Sequence, residues 1–276
     1  MPEAPPPRLG RRRVLRAGGA VVGLGAAGAV GWELAPPSFT ERLLGKLGIE
    51  PEAFVPDAPE GEVRLERVTS AAMGELDLFT AVPAGHGDGA GLPVVVVLHG
   101  ASATAADLRG FGFGRFVTAA VEAGAPPFVL AGTDDGPAGW VASGDVDPPR
   151  MLRDELPGWL AERGFDGGRR ALWGWSRGGY GALRFVTQTP DWARALALFS
   201  PALGPDDQVL SDLDVLTDLP WGLWCGEWDP FREGSVALAA AAPVAPDPWV
   251  SGEGGHTRAY WNSHTLEMLD GLARSL

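Results

Sequence analysis

The run Pro93-Val-Val-Val-Val-Leu98, closed by His99 and Gly100, constrains this chain more than any other stretch. Four consecutive β-branched residues offer no polar face to water, so the strand they form has to be covered on both sides. That places it centrally in a mostly parallel sheet with helices on both faces. Further apolar runs at Phe128–Gly132, Arg170–Trp175, Ala195–Ser200 and Trp221–Gly226, with a short one at Pro248–Ser251, supply neighbouring strands. Val63–Val68 and Leu76–Val82 alternate apolar with polar residues, as half-exposed antiparallel strands do. Helical periodicity fills the gaps at Thr104–Ala123, Met151–Arg163, Arg177–Thr187, Ser235–Ala241 and Ala259–Ser275. Alternation of this kind implies right-handed crossovers, with the functional residues just beyond the strands' C-terminal ends.

Composition removes several classes of function. The formal charge is −13, from 22 basic and 35 acidic residues. Arg8, Arg11, Arg12, Arg13 and Arg16 crowd the first sixteen positions, which leaves the body more acidic still. No basic stripe remains to bind phosphates, so a nucleic-acid partner is not expected. One cysteine, Cys225, rules out an internal disulfide framework, and four histidines without a His-Glu-x-x-His pattern make a zinc site unattractive. Neither a metal nor an organic cofactor is expected.

The front of the chain reads as an address. Arg11 and Arg12 precede the uncharged, glycine-rich run 17–32, and Ala27-Gly28-Ala29 offers a small-x-small cleavage pattern. Residues 1–32 are expected to be a twin-arginine-type export signal, so that the protein acts outside the cytoplasm or in the cell envelope. Membrane contact is then expected only through this segment, if it is not removed. Residues 33–61 read as a proline-rich linker or arm, and 62–276 as the folded domain.

The chemistry that falls after a strand is nucleophilic. Gly174-Trp175-Ser176-Arg177-Gly178 follows the apolar strand ALWGW and opens a helix, so Ser176 occupies a sharp strand-to-helix turn with its oxygen at a helix N-terminus. In a chain with 40 glycines the bare motif is weak, and the strand before it and helix after it give it meaning. An acid and a base are expected later in the order Ser, Asp, His. Asp229, in the turn after Trp221–Gly226, is the candidate acid, with Glu227 and Glu233 as rivals. His256, on the loop Gly252-Glu-Gly-Gly255, is the candidate base; His264 lies two turns into a helix and His86 in a hairpin turn. An oxyanion would need the amide of Arg177 and one from the loop after the central strand, Ala101 ahead of Gly100 or Ser102. His99 fits best as a residue that fixes that loop.

Taken together, LHG at 98–100, RDEL at 153–156, GWSRGGYGALRF at 174–185, SPAL at 200–203, CGEWDPF at 225–231 and GGHTRAYW at 254–261 resemble one known group. It is the bacterial esterase branch of the α/β-hydrolase superfamily, which holds esterase-D-like enzymes and mycolyltransferases. The resemblance spans roughly residues 62–276 and implies an α/β-hydrolase fold with Ser176 as nucleophile, Asp229 as acid and His256 as base. The residue after the serine, often methionine in that group, is Arg177 here. Its guanidinium would meet an anionic substrate group, pair with Asp134 or Asp135, or stand in solvent. Trp140, Trp175, Trp228 and Trp261 flank the candidate elements and are candidates for an aromatic pocket, and Gly204–Leu219 for a small cap over the cleft. The expected reaction is hydrolysis of a small-molecule, lipid or sugar ester. Acyl transfer to a sugar or lipid hydroxyl, or a non-catalytic binding role, are the alternatives.

Overall fold

The computed structural model describes residues 52–276. The expected export signal, and most of the arm up to residue 51, lie outside the described residues. Eight strands form one sheet in the order β1-β2-β4-β3-β5-β6-β7-β8. They are β1 (Val63–Ser70), β2 (Gly74–Ala81), β3 (Pro93–Leu98), β4 (Val129–Thr133), β5 (Asp166–Trp175), β6 (Leu196–Phe199), β7 (Trp221–Trp224) and β8 (Trp249–Val250). The alternating strands β1 and β2 pair antiparallel at one edge, β2 runs antiparallel to β4, and all pairings from β4 to β8 are parallel.

Every residue of β3 is buried, and its pleat shows why. Val94, Val96 and Leu98 face one hydrophobic cluster, while Val95 and Val97 face the other. The first cluster is closed by Ala182, Leu183, Phe185 and Val186, on the helix that begins at Arg177. On the opposite face the closing residues are Phe113, Phe116, Met268, Leu269 and Leu272. Two covered faces are what a continuous apolar run demands.

The helices depart from the periodicity reading in three places, the one expected over Ser235–Ala241 beginning three residues earlier at Arg232. The expected single helix over 104–123 is broken into α1 (Asp107–Gly110) and α2 (Phe113–Glu122). Gly112 between them takes a left-handed φ of 83°, and a side chain there would collide with Val55. The helix expected over 151–163 starts earlier, at α3 (Pro148–Arg150), and widens into a π turn over Met151–Glu155 before α4 (Leu156–Glu162). Pro157 explains the widening: it has no N–H to give and its ring crowds the carbonyl four residues back. The remaining helices are α5 (Arg177–Gln188), α6 (Arg232–Ala241) and α7 (Arg258–Arg274).

Segment 204–219 forms two short 3-10 turns whose Val209, Leu213, Leu216 and Leu219 are buried in the first cluster. It therefore contributes core to the α5 face. At the other end, residues 54–60 lie against the body. Phe54 packs edge-on to Phe116 and its carbonyl accepts from Asn262, while Asp57 and Ala58 hold Arg115 and Glu60 holds Arg109.

Candidate active site

The sheet delivers Ser176 at the end of β5, on a backbone that no ordinary residue adopts freely. Its φ is 56° and ψ −124°, a strained combination that costs about 1–3 kcal/mol. Glycines make the turn feasible. A side chain on Gly174 would strike the Gly178 carbonyl, and one on Gly178 would strike that of Leu98. The chain can therefore reverse within van der Waals contact of β3 only because both positions are bare. α5 begins at the next residue, so Ser176 sits at a helix N-terminus.

The histidine loop follows β8. Thr257 caps α7 with its side chain, and the Trp228 N–H donates to the Gly254 carbonyl, which ties this loop to the turn after β7. His256 Nε2 lies 2.8 Å from Ser176 Oγ and its Nδ1 lies 2.9 Å from Asp229 Oδ2. The second oxygen of Asp229 accepts the Phe231 N–H at 2.8 Å, so the buried carboxylate is partnered at both ends. Both rivals for the acid, Glu227 and Glu233, are solvent-exposed. Trp261 stands edge-on to the imidazole at 4.8 Å between centroids, and Phe231 packs on it at 5.1 Å. The imidazole is thus gripped between two aromatic rings and aimed along a line from acid to hydroxyl.

The other candidates divide. The loop after β3 passes directly over the serine: a side chain on Gly100 would lie 3.2 Å from Ser176 Cβ. Ala101 is exposed, and among the described residues neither its N–H nor that of Arg177 has a protein acceptor. His99 is fully buried, and its Nδ1–H donates to the Gly100 carbonyl at 2.9 Å. Trp140 sits behind this loop, its indole N–H donating to the His99 carbonyl at 2.9 Å, and so braces the loop from the core side. Trp175 and Trp261 lie 6.3 Å apart beside the serine. Trp228 is half-buried in the Asp229 turn. Arg177 pairs with Asp135 and not with Asp134, whose two oxygens are taken by the Asp77 and Ala105 N–H groups. His264 is turned against Tyr260, where burial holds its pKa below the usual imidazole value, and His86 is exposed.

One contributor escaped the sequence reading. Ser200, after β6, has a left-handed φ of 45°, and its hydroxyl accepts the Trp261 indole N–H at 3.0 Å. It fixes the ring that fixes the imidazole. The only signal was its place in the SPAL block, one residue past a strand.

A strand-to-helix serine turn, on a sheet of this order and with acid and histidine on the following loops, defines the protein as an α/β-hydrolase. The family model described as "Putative esterase" matches residues 70–265, and the chain belongs to that esterase family. Among solved structures, a ferulic acid esterase superposes with a TM-score of 0.69 at 16% identity, over 80% of this chain and 100% of its own. An S-formylglutathione hydrolase from Agrobacterium tumefaciens gives 0.61 at 16% identity, over 82% and 98%. The feruloyl esterase module from Clostridium thermocellum, complexed with sinapinate, gives 0.66 at 13% identity, over 82% and 96%. No curated protein matches the chain in sequence.

Proposed function

We propose that the protein hydrolyses a carboxylic ester through a covalent acyl-enzyme on Ser176. The observation that carries this reading is the unbroken hydrogen-bonded line Asp229–His256–Ser176. His256 Nε2 takes the hydroxyl proton as Oγ bonds to the ester carbonyl carbon, and the carbonyl oxygen becomes an oxyanion. Asp229 holds Nδ1–H, which leaves Nε2 free to accept and stabilises the imidazolium that forms. Collapse expels the alcohol, which takes the proton from His256. Water then repeats the sequence on the acyl-serine, releasing the carboxylic acid and restoring the hydroxyl. Amides of Arg177 and Ala101 serve as the oxyanion donors, each worth about 10²- to 10³-fold in turnover. A short p-nitrophenyl ester tests the reading together with a fluorophosphonate that phosphonylates an activated serine. Hydrolysis and labelling are expected in the unmodified protein, and their absence from folded protein overturns the proposal.

Export by the twin-arginine route is part of the same proposal, supported by Arg11 and Arg12 ahead of the uncharged run 17–32. Changing both arginines to lysine should retain the protein in the cytoplasmic fraction of an expressing bacterium. Unchanged export would sink this part.

A further inference from the structure

Arg177 occupies a position where its backbone and its side chain bear on the same chemistry. Its amide is one proposed oxyanion donor, and its guanidinium reaches the residue that carries the other. Nη2 lies 2.5 Å from Asp135 Oδ2 and 3.5 Å from the Ala101 carbonyl oxygen. The pair is partly sheltered, with side chains 33% and 13% exposed. Gly139 presses on the arginine stem from the far side, where an added Cβ would stand 2.6 Å from Cδ. Burial holds the Asp135 carboxyl above the usual range, an upward push that the charges of His99 and Arg177 only partly offset.

The loop that bears Ala101 is held at further points besides the Trp140 bond to the His99 carbonyl. His99 Nδ1–H and the Ala103 N–H both donate to the Gly100 carbonyl, at 2.9 and 3.3 Å. That carbonyl belongs to the same peptide group as the Ala101 N–H, so fixing one end of the plane fixes the direction of the other. Further along, Asp134 accepts the Ala105 N–H at 2.9 Å. Between these anchors Ala101 and Ser102 are exposed, and the Ala101 carbonyl accepts from the Arg177 guanidinium at 3.5 Å. The loop and the serine turn come from different strands, and among the described residues the Arg177 side chain bridges them on this outer side.

We propose that the Arg177 side chain is a positioning residue of the oxyanion site: anchored on Asp135, it holds the β3 loop over the serine turn and keeps the Ala101 amide aimed into the cleft. This rests on the reading of Ser176 as the nucleophile. With its charge neutralised by Asp135, the guanidinium does not select an anionic substrate. A partly exposed ion pair contributes little to stability, so the effect belongs in the transition state, where a donor displaced by a fraction of an ångström loses most of its value.

Arg177→Met keeps the length of the stem and removes the fork. With p-nitrophenyl acetate it should lower kcat about 10- to 100-fold while KM changes less than threefold. A trifluoromethyl ketone, whose serine adduct carries an oxyanion, should weaken by the same factor as kcat/KM. A competitive inhibitor that forms no adduct should bind as before. Arg177→Lys should recover part of the loss, and Asp135→Asn should show a smaller drop in the same parameter. Unchanged kcat in Arg177→Met overturns the proposal, as does equal weakening of both inhibitors. If Arg177→Met does not fold, Arg177→Lys and Asp135→Asn decide, and the loss of folding in all three also overturns it. A KM rise confined to esters bearing a free carboxylate would make Arg177 a substrate ligand instead. Failure of the unmodified protein to label with fluorophosphonate sinks the nucleophile reading itself. Normal labelling with an insensitive Arg177→Met sinks the positioning role alone.

Discussion

Three neighbouring strands end alike and behave differently. Ser176, Ser200 and Cys225 each stand one residue past a strand, and a staircase of amides links them. Ser176 N–H donates to the Phe199 carbonyl, Ser200 N–H to that of Trp224, and Cys225 N–H to that of Val250. The two serines even share a positive φ. What separates them is surroundings. Ser176 opens a helix and its oxygen meets an imidazole. Ser200 is fully buried, is followed by Pro201, and gives its lone pair to an indole N–H. Cys225 is buried beside Ser200 and Ser235, and burial pushes its thiol up to about 12. Strain and a strand terminus therefore do not by themselves distinguish Ser176; the imidazole beside its oxygen does.

The sharpest way to break this comparison is Ser176→Ala, which should reduce ester turnover by about 10⁴-fold or more and abolish fluorophosphonate labelling. Transfer of reactivity to Ser200 in that variant would refute the contrast outright. Next comes Asp229→Asn, where kcat should fall about 10³- to 10⁴-fold with little change in KM, because the imidazole loses the partner that sets its tautomer. Ser200→Ala is expected to act on stability: the Trp261 indole N–H is left unpaired in the core, at about 1–3 kcal/mol in denaturant titration, while turnover stays within tenfold. Cys225 should give the smallest response. At pH 8 a thiol with a pKa of about 12 is almost wholly protonated, so iodoacetamide should leave the folded protein unmodified and label it only after denaturation.

Much of this arrangement is legible in the residue order, and for a physical reason. The all-apolar β3, the β5 run and the two alternating strands report burial on two faces or one, and burial is what a strand's pattern encodes. The serine turn is legible because bare glycines have to flank it. The break at Gly112 and the π turn before Pro157 are harder, since an apolar stripe passes through both without interruption. Partner choice was least readable. Whether Arg177 takes Asp134 or Asp135 depends on which carboxylate the β3 loop has already engaged, and adjacent residues of one type look alike in sequence. The same holds for the tryptophans. Trp261 and Trp175 flank the serine, whereas Trp140 braces a loop from behind, a difference set by which side of a backbone each ring approaches.

The stretch 54–60 matters for anyone trimming this enzyme or fusing it to another. Deleting up to the first strand would strip Phe54 from Phe116, orphan the Asn262 side-chain amide on α7, and free Arg115 and Arg109 at once. Asn262 lies six positions beyond His256, so the damage would start close to that imidazole. A safe cut leaves Phe54 in place, and a shorter version that folds but turns over slowly would report this belt and say nothing about Ser176, His256 and Asp229.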